Sequence, residues 1–284
     1  MAGQVGGLVR LVIVIVVAAL VRGSVALGEP TPTPSDEATI ERNFDALIQP
    51  NELRDWMKLL AAQPNHVSSP HDKANAEQIL AWFKDWGWDA HIETFWVLYP
   101  TPISESLELA GPKPFKANLQ EPPIQGDSSA TATDPALPAY VDYQGDGDVS
   151  AGLVYVNYGM QEDYKTLQRL GVSVKDKIVI ARYGGGWRGL KPKLAQDHGA
   201  VGCLIYSEPA DDGYSVDATY PSGPMRPPNG IQRGSVMDME IYPGDPLTPG
   251  IGATKDAKRL KRSEAPTIVK IPTLPISYAD AQVL

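Results

Sequence analysis

An α/β (α+β) fold is predicted, in which three N-terminal helices precede a unit that alternates short strands with helices. Three observations carry this expectation. Apolar residues recur at helical spacing between residues 36 and 86. Three short apolar runs follow, at residues 153–156, 178–181 and 201–205, each of strand length and bounded by polar or turn residues. Helical stretches separate them, at 164–170 and 191–199, which suits a small α/β or sandwich-like unit with crossovers.

Arg10 precedes an apolar run over residues 11–21, which Arg22 closes. That run falls short of the ~20 residues a membrane-spanning helix needs and matches the apolar region of a signal peptide. Ser24-Val25-Ala26 supplies small residues for a cut after Ala26, so residues 1–26 are read as a signal peptide. The alternative is a signal anchor over residues 8–27. Either places the remainder outside the cytoplasm, as a periplasmic, secreted or membrane-anchored ectodomain. Residues 27–35 form a Pro/Thr linker. Ser35 is expected to cap a first helix with Asp36 and Glu37 in its first turn and Ile40, Phe44, Leu47 and Ile48 on one face. A second helix starts near Asn51 with Leu53, Trp56, Met57 and Leu60 at helical spacing, and a third runs from about His71 to Trp86, stopped by Gly87. These helices are amphipathic with little of their own to pack on. Residues 91–97 alternate as a strand would, residues 111–150 and 209–252 read as Gly/Pro-rich loop, and residues 267–271 offer one more strand. Ser277-Tyr-Ala-Asp280 resembles a capping box, and a helix opening so near Leu284 reads as the front part of a longer protein.

Composition narrows the chemistry. Of the 284 residues, 43% are hydrophobic and 21% charged, an ordinary globular balance that excludes disorder and collagen-like repeats. A formal charge of −9 argues against a nucleic-acid surface, which needs clustered Lys and Arg. Cys203 is the single cysteine, so no internal disulfide forms, and its apolar neighbours make it a core residue rather than a nucleophile. None of the asparagines begins an Asn-x-Ser/Thr triplet, which favours a bacterial envelope over a eukaryotic secretory route. The four histidines give His66, His71 with Asp72, His91, and His198 with Asp197 as metal candidates. Asp72 is better placed as a first-turn dipole partner, and His198 sits at a helix C-terminus, where a cation is favoured. No zinc site and no catalytic residue is assigned on this basis.

Four stretches are too specific for generic loop: Lys177-Ile-Val-Ile-Ala-Arg-Tyr-Gly184, Trp187-Arg-Gly189, Ile205-Tyr-Ser-Glu-Pro-Ala-Asp211, and Gly230-Ile-Gln-Arg-Gly234 followed by Gly244-Asp-Pro-Leu-Thr-Pro-Gly250. In this order they closely resemble the glutamate carboxypeptidase II (folate hydrolase, N-acetylated-alpha-linked acidic dipeptidase) family, from about residue 40 onward. The resemblance implies that residues 36–96 are the N-terminal segment of a zinc-peptidase domain. It implies equally that residues 97–284 are a protease-associated (apical) domain with a small mixed sheet or sandwich and flanking helices, truncated at its C-terminal end. It further implies that Arg188 reaches into the active-site cleft and grips a substrate's C-terminal carboxylate, a role suited to a planar, permanently charged guanidinium. Ser235 stands where the family has a second substrate contact, an asparagine. Thr248 matches a threonine that coordinates a structural calcium, and Ile251 matches a position that donates a backbone carbonyl to it. The family's two zinc ions, its zinc ligands and the remaining calcium ligands belong to a region outside this chain, as does the family's homodimer contact. The function so implied is the N-terminal part of an exported zinc exopeptidase whose peptide substrates carry a free C-terminal carboxylate, without catalysis by this part alone. The alternatives are a non-catalytic binding ectodomain of transferrin-receptor type and a stand-alone protease-associated binding module.

Overall fold

A computed structural model describes residues 34–131 and 136–284. The leader expected at residues 1–26, and the linker as far as residue 33, lie outside them. No described helix is long and apolar enough to cross a membrane. The chain divides between Leu59 and Leu60 into two compact units.

The first unit holds α1 (Pro34–Leu47) and most of α2 (Pro50–Leu60). Helix α1 begins at Pro34, so Ser35 lies inside it and is not the cap the sequence suggests. Proline suits a first helical position, where its fixed φ is already helical and its missing N–H would lack a partner anyway. As anticipated, the apolar faces lack a cover of their own: Ile40, Phe44, Leu47, Leu53 and Met57 are all exposed.

In the second unit, α3 (Pro70–Asp85) follows the expected course. The Ser69 side chain caps it by accepting the Asp72 N–H at 3.1 Å, and Asp72 lies in the first turn. The strand expected at 91–97 does not form. Its alternation is real, but no strand pairs with it, and its backbone is held by loops instead. Trp96 N–H donates to Ala253 O at 2.7 Å, and Leu98 N–H to Asp245 Oδ1 at 2.8 Å.

Next in the chain come β1 (Glu108–Leu109) and β2 (Phe115–Lys116), an antiparallel pair, and then β3 (Val141–Asp142). The centre of the unit is built from β4 (Leu153–Tyr155), α4 (Gln161–Arg169), β5 (Ile178–Arg182), α5 (Leu190–Asp197) and β6 (Gly202–Tyr206). After them come α6 (Pro209–Asp212), β7 (Gly234–Ser235), β8 (Thr273–Ile276) and α7 (Tyr278–Ala281). Strands β4-β5-β6-β8 form one four-stranded sheet in that order, parallel throughout. The three apolar runs are therefore its first three strands, joined by helical crossovers as parallel pairing requires. The fourth strand lies beyond the predicted 267–271. Val269 N–H goes to Tyr143 O and Ile271 O accepts Gly145 N–H, so that run is spent on the 143–145 loop. Pairing with β6 begins only after Pro272, whose carbonyl accepts Cys203 N–H at 3.0 Å. Pro275 is tolerated because β8 is an outer strand of the sheet.

Period-2 alternation sorts the side chains between two cores. Val179, Ala181, Cys203 and Ile205 face one cluster with Tyr164, Leu167, Leu194 and Ala195 from α4 and α5. Ile180, Leu204, Tyr206 and Ile276 face the other, covered by Leu107, Leu119, Tyr278 and Leu284. Cys203 is a core residue, as read from its neighbours, and burial pushes its thiol up to about 12. At α7 Ser277 is the N-cap, with Asp280 N–H donating to its Oγ at 3.1 Å, but the reciprocal half of the capping box differs: Asp280 Oδ2 accepts the Ser277 hydroxyl at 2.8 Å in place of the Ser277 backbone N–H.

Ile205 is fully enclosed in the first cluster. Ile205→Ala should therefore lower unfolding free energy by about 2–5 kcal/mol with an unchanged m-value in urea denaturation.

Candidate substrate-carboxylate site

The site begins where β5 ends. Gly184, Gly185 and Gly186 lead from Tyr183 into Trp187-Arg188-Gly189, and the first two have φ of 94° and 71°. The backbone there passes against the Tyr158 ring, so a Cβ on Gly185 would stand 2.8 Å from Tyr158 Cγ. The loop then docks on the segment that follows β7. Trp187 Nε1–H donates to Met237 O at 3.4 Å, and Gly189 lies so close that a Cβ would approach Val236 O to 2.8 Å. Arg188, half-buried, donates Nε–H to Ser235 O at 3.0 Å. Its guanidinium carbon lies 5.3 Å from the Trp187 ring centroid and 5.9 Å from that of Tyr183. Room for it exists only because residue 234 lacks a side chain: a Cβ there would overlap the guanidinium. Two motifs that are separate in sequence, Trp187-Arg-Gly189 and Gln232-Arg-Gly-Ser235, thus form one surface.

That surface is braced from behind. Strand β3 pairs with β7 in parallel, setting Val141 opposite Gly234 and Asp142 opposite Ser235. Arg233 grips Glu121 with both terminal nitrogens, at 2.8 and 2.9 Å, and also donates to the carbonyls of Pro138 and Leu137. Burial alone would raise Glu121, but the Arg233 hydrogen bonds prevail and hold it below the usual carboxylate range. Burial raises Asp142, opposed by a hydrogen bond from Tyr140 and by the charge of Arg188; its Oδ1 is enclosed without a hydrogen-bond partner. Tyr183, whose hydroxyl donates to Gln232 O at 2.8 Å, is pushed up to about 12 by burial.

Arg188 and Ser235 are brought together, but through the Ser235 carbonyl. The Ser235 hydroxyl oxygen accepts Met237 N–H at 3.1 Å, so it stabilises its own turn. Thr248 is buried with its hydroxyl donating to Asp245 Oδ2 at 2.8 Å, while Ile251 is exposed and its N–H donates to Thr248 O at 3.3 Å. Their oxygens and the Asp245 carboxylate are hard donors of the kind calcium takes, but fewer than the six to eight it needs. The histidines do not converge, since His71 Nε2 lies 3.2 Å from Leu60 O and His198 stacks on Tyr164 at 4.3 Å. Among the described residues no three His, Cys, Asp or Glu side chains are grouped to hold a metal ion.

One residue with no sequence signal stands out. Lys191, in the first turn of α5, has no solvent exposure, and its Nζ donates to Tyr158 O at 2.7 Å and to Gly184 O at 2.8 Å. Burial lowers it to about 8. Asp142 and Glu121 were equally hidden, because isolated acids in Pro/Gly-rich loop carry no periodic pattern.

The PA domain family matches residues 143–239, a range that begins just after β3 and includes the Arg188 and Ser235 surface. Similar curated proteins include a probable glutamate carboxypeptidase of Arthroderma benhamiae, 44% identical over 153 residues, covering 52% of this chain and 21% of that protein. Aminopeptidase NAALADL1 of Mus musculus is 34% identical over 83% of this chain and 32% of its own length. A glutamate carboxypeptidase 2 homolog of Caenorhabditis briggsae is 32% identical over 87% of this chain and 33% of its own. The chain belongs to the glutamate carboxypeptidase family. It spans a third or less of the length of these relatives.

Two outcomes test this geometry. Gly234→Ala should cost about 1–3 kcal/mol in denaturant unfolding, because φ there is 144° and the new methyl meets Arg188. In an Arg188→Ala background the same change should cost measurably less, since only the backbone strain remains. The second concerns pH. Lys191 titrates near 8 when folded but near 10.4 when unfolded, so between those values the unfolded chain binds more protons. Its burial penalty is full below pH 8 and is relieved as pH rises. The stability of the wild type relative to Lys191→Met should therefore increase from pH 8 to pH 9.5.

Proposed function

We propose that this chain forms the substrate-recognition wall of an exported zinc exopeptidase and that Arg188 binds the free C-terminal carboxylate of a peptide. The observation that carries the reading is the Arg188 guanidinium itself. One edge is fixed to Ser235 O, flanking aromatic rings hold its plane, and Gly234 leaves the space around it open. A carboxylate arriving at the remaining N–H groups makes charge-assisted, paired hydrogen bonds. The names of the relatives, glutamate carboxypeptidase and aminopeptidase, support peptides as the substrates.

In this reading residues 36–96 belong to the peptidase domain and residues 97–284 to the PA domain. Zinc would supply the hydrolytic chemistry in the whole enzyme. Among the described residues no cluster of ligands forms a site for it. Thr248 and Ile251 would contribute part of a calcium site completed elsewhere, and a homodimer would form outside this chain. Ser235 in place of the family asparagine offers a hydroxyl already engaged with Met237 N–H, so preference for glutamate is relaxed.

The test is kinetic. In the complete peptidase, Arg188→Ala should raise KM for free-acid substrates and lower kcat/KM about ten- to a hundredfold, the loss of one or two charge-assisted hydrogen bonds. Substrates amidated at that end should be poor from the outset and lose little more. Equal losses on both would instead assign Arg188 to packing. The 284-residue chain supplied with zinc should leave an N-acyl-glutamyl dipeptide intact; hydrolysis by it would overturn the division of labour.

A further inference from the structure

The turn that presents Arg188 is poorly suited to hold a side chain still. It opens with three consecutive glycines, two of them at positive φ, and glycine has the greatest backbone freedom of any residue. Something must close this loop. Its exit is tied into α5 by Leu190 N–H to Trp187 O at 3.1 Å and Lys191 N–H to Arg188 O at 3.2 Å. Its entry is tied by the Lys191 side chain, which turns back seven residues to Gly184 O and also takes Tyr158 O, on the loop whose ring packs against Gly184 and Gly185.

We propose that Lys191 is the positioning residue for Arg188: its buried ammonium clamps the neck of the Gly184–Leu190 loop and so fixes where the guanidinium stands. The proposal rests on the carboxylate reading of Arg188 for its functional meaning, but its geometry is independent of any substrate. A structural role in the sheet would not need a charge here. Burying an ammonium costs stability, and an apolar side chain of the same length would fill the space without that cost. What the charge adds is a pair of short, charge-assisted bonds to two carbonyls in different loops. The groups facing Nζ are the Tyr158 ring, 5.8 Å away, Arg182 on β5, Cys203 on β6 and Asp163 on α4. Asp163 is engaged by Asn157 Nδ2 and Met160 N–H, so it does not form an ion pair with Lys191. Loss of the proton leaves a neutral amine, a weaker donor to both carbonyls, and the clamp loosens through the range near pH 8.

Nuclear magnetic resonance of the 284-residue chain tests this without a ligand. In Lys191→Met, with amide shifts of β5 and β6 unchanged, the order parameters of Gly184–Gly186 and of the Arg188 Nε–H should fall, from rigid values to below about 0.6. Unchanged Arg188 order in a folded Lys191→Met overturns the proposal. Should that variant not fold, wild-type protein titrated from pH 6.5 to 9.5 decides. The carbonyl carbons of Gly184 and Tyr158 and the Arg188 Nε resonance should move together, with a midpoint at the Lys191 pKa. An Arg188 signal that stays still while the carbonyls shift overturns it. Failure of the carboxylate reading would appear elsewhere, as equal kinetic losses on free-acid and amidated substrates in Arg188→Ala, with these spectra unaffected.

Discussion

Two rungs of parallel pairing, Val141 against Gly234 and Asp142 against Ser235, decide where everything else in the site can stand. So short a ladder has little stability alone. Arg233 makes up the deficit by tying Glu121, Leu137 and Pro138 to the residue just before β7. With the backbone of residues 234–237 fixed, Ser235 O and Met237 O become acceptors of defined position, and the Trp187-Arg188-Gly189 turn has a rigid surface to dock on. The four-stranded sheet serves this arrangement from the other side, delivering the turn at the end of β5.

Much of this was legible in the sequence, and the reason is burial. Strands β4, β5 and β6 are enclosed or partly enclosed, so each reads as an apolar run of strand length. Motif recognition found both halves of the Arg188 surface, although nothing in the residues themselves showed that 188 and 235 would meet. The failures have physical causes too. Residues 91–97 alternate, but alternation states only that a segment could be a strand; pairing needs a partner with free N–H and C=O groups. Residues 267–271 are apolar because they are buried, with Thr267, Ile268 and Val269 all enclosed, yet their hydrogen bonds go to a loop. Lys191 was invisible because a buried lysine has the same letter as a solvated one.

The Ser235 position shows how a side chain can be exchanged while the scaffold stays intact. The part of residue 235 that holds Arg188 is its carbonyl, which every amino acid possesses, so another side chain there would not displace the guanidinium. Gly234 has no such freedom, because its hydrogen occupies the place a side chain would need. The two neighbours therefore differ sharply in the substitutions they tolerate, though both touch the same arginine.

Strand β8 carries a consequence for assembly. Cys203 N–H takes Pro272 O, so in the alternating parallel ladder positions 274 and 276 offer their N–H groups to β6 while 273 and 275 turn outward. The outward N–H of Thr273 is taken by the Gln144 side chain, and Pro275 has none. The outer rim of the sheet thus offers an arriving strand no donor at either position. Growth of the sheet by strand addition, the usual hazard of an open edge, is blocked on this side by two residues. Association on the β8 side is thereby turned away from a continued ladder and toward side-chain packing.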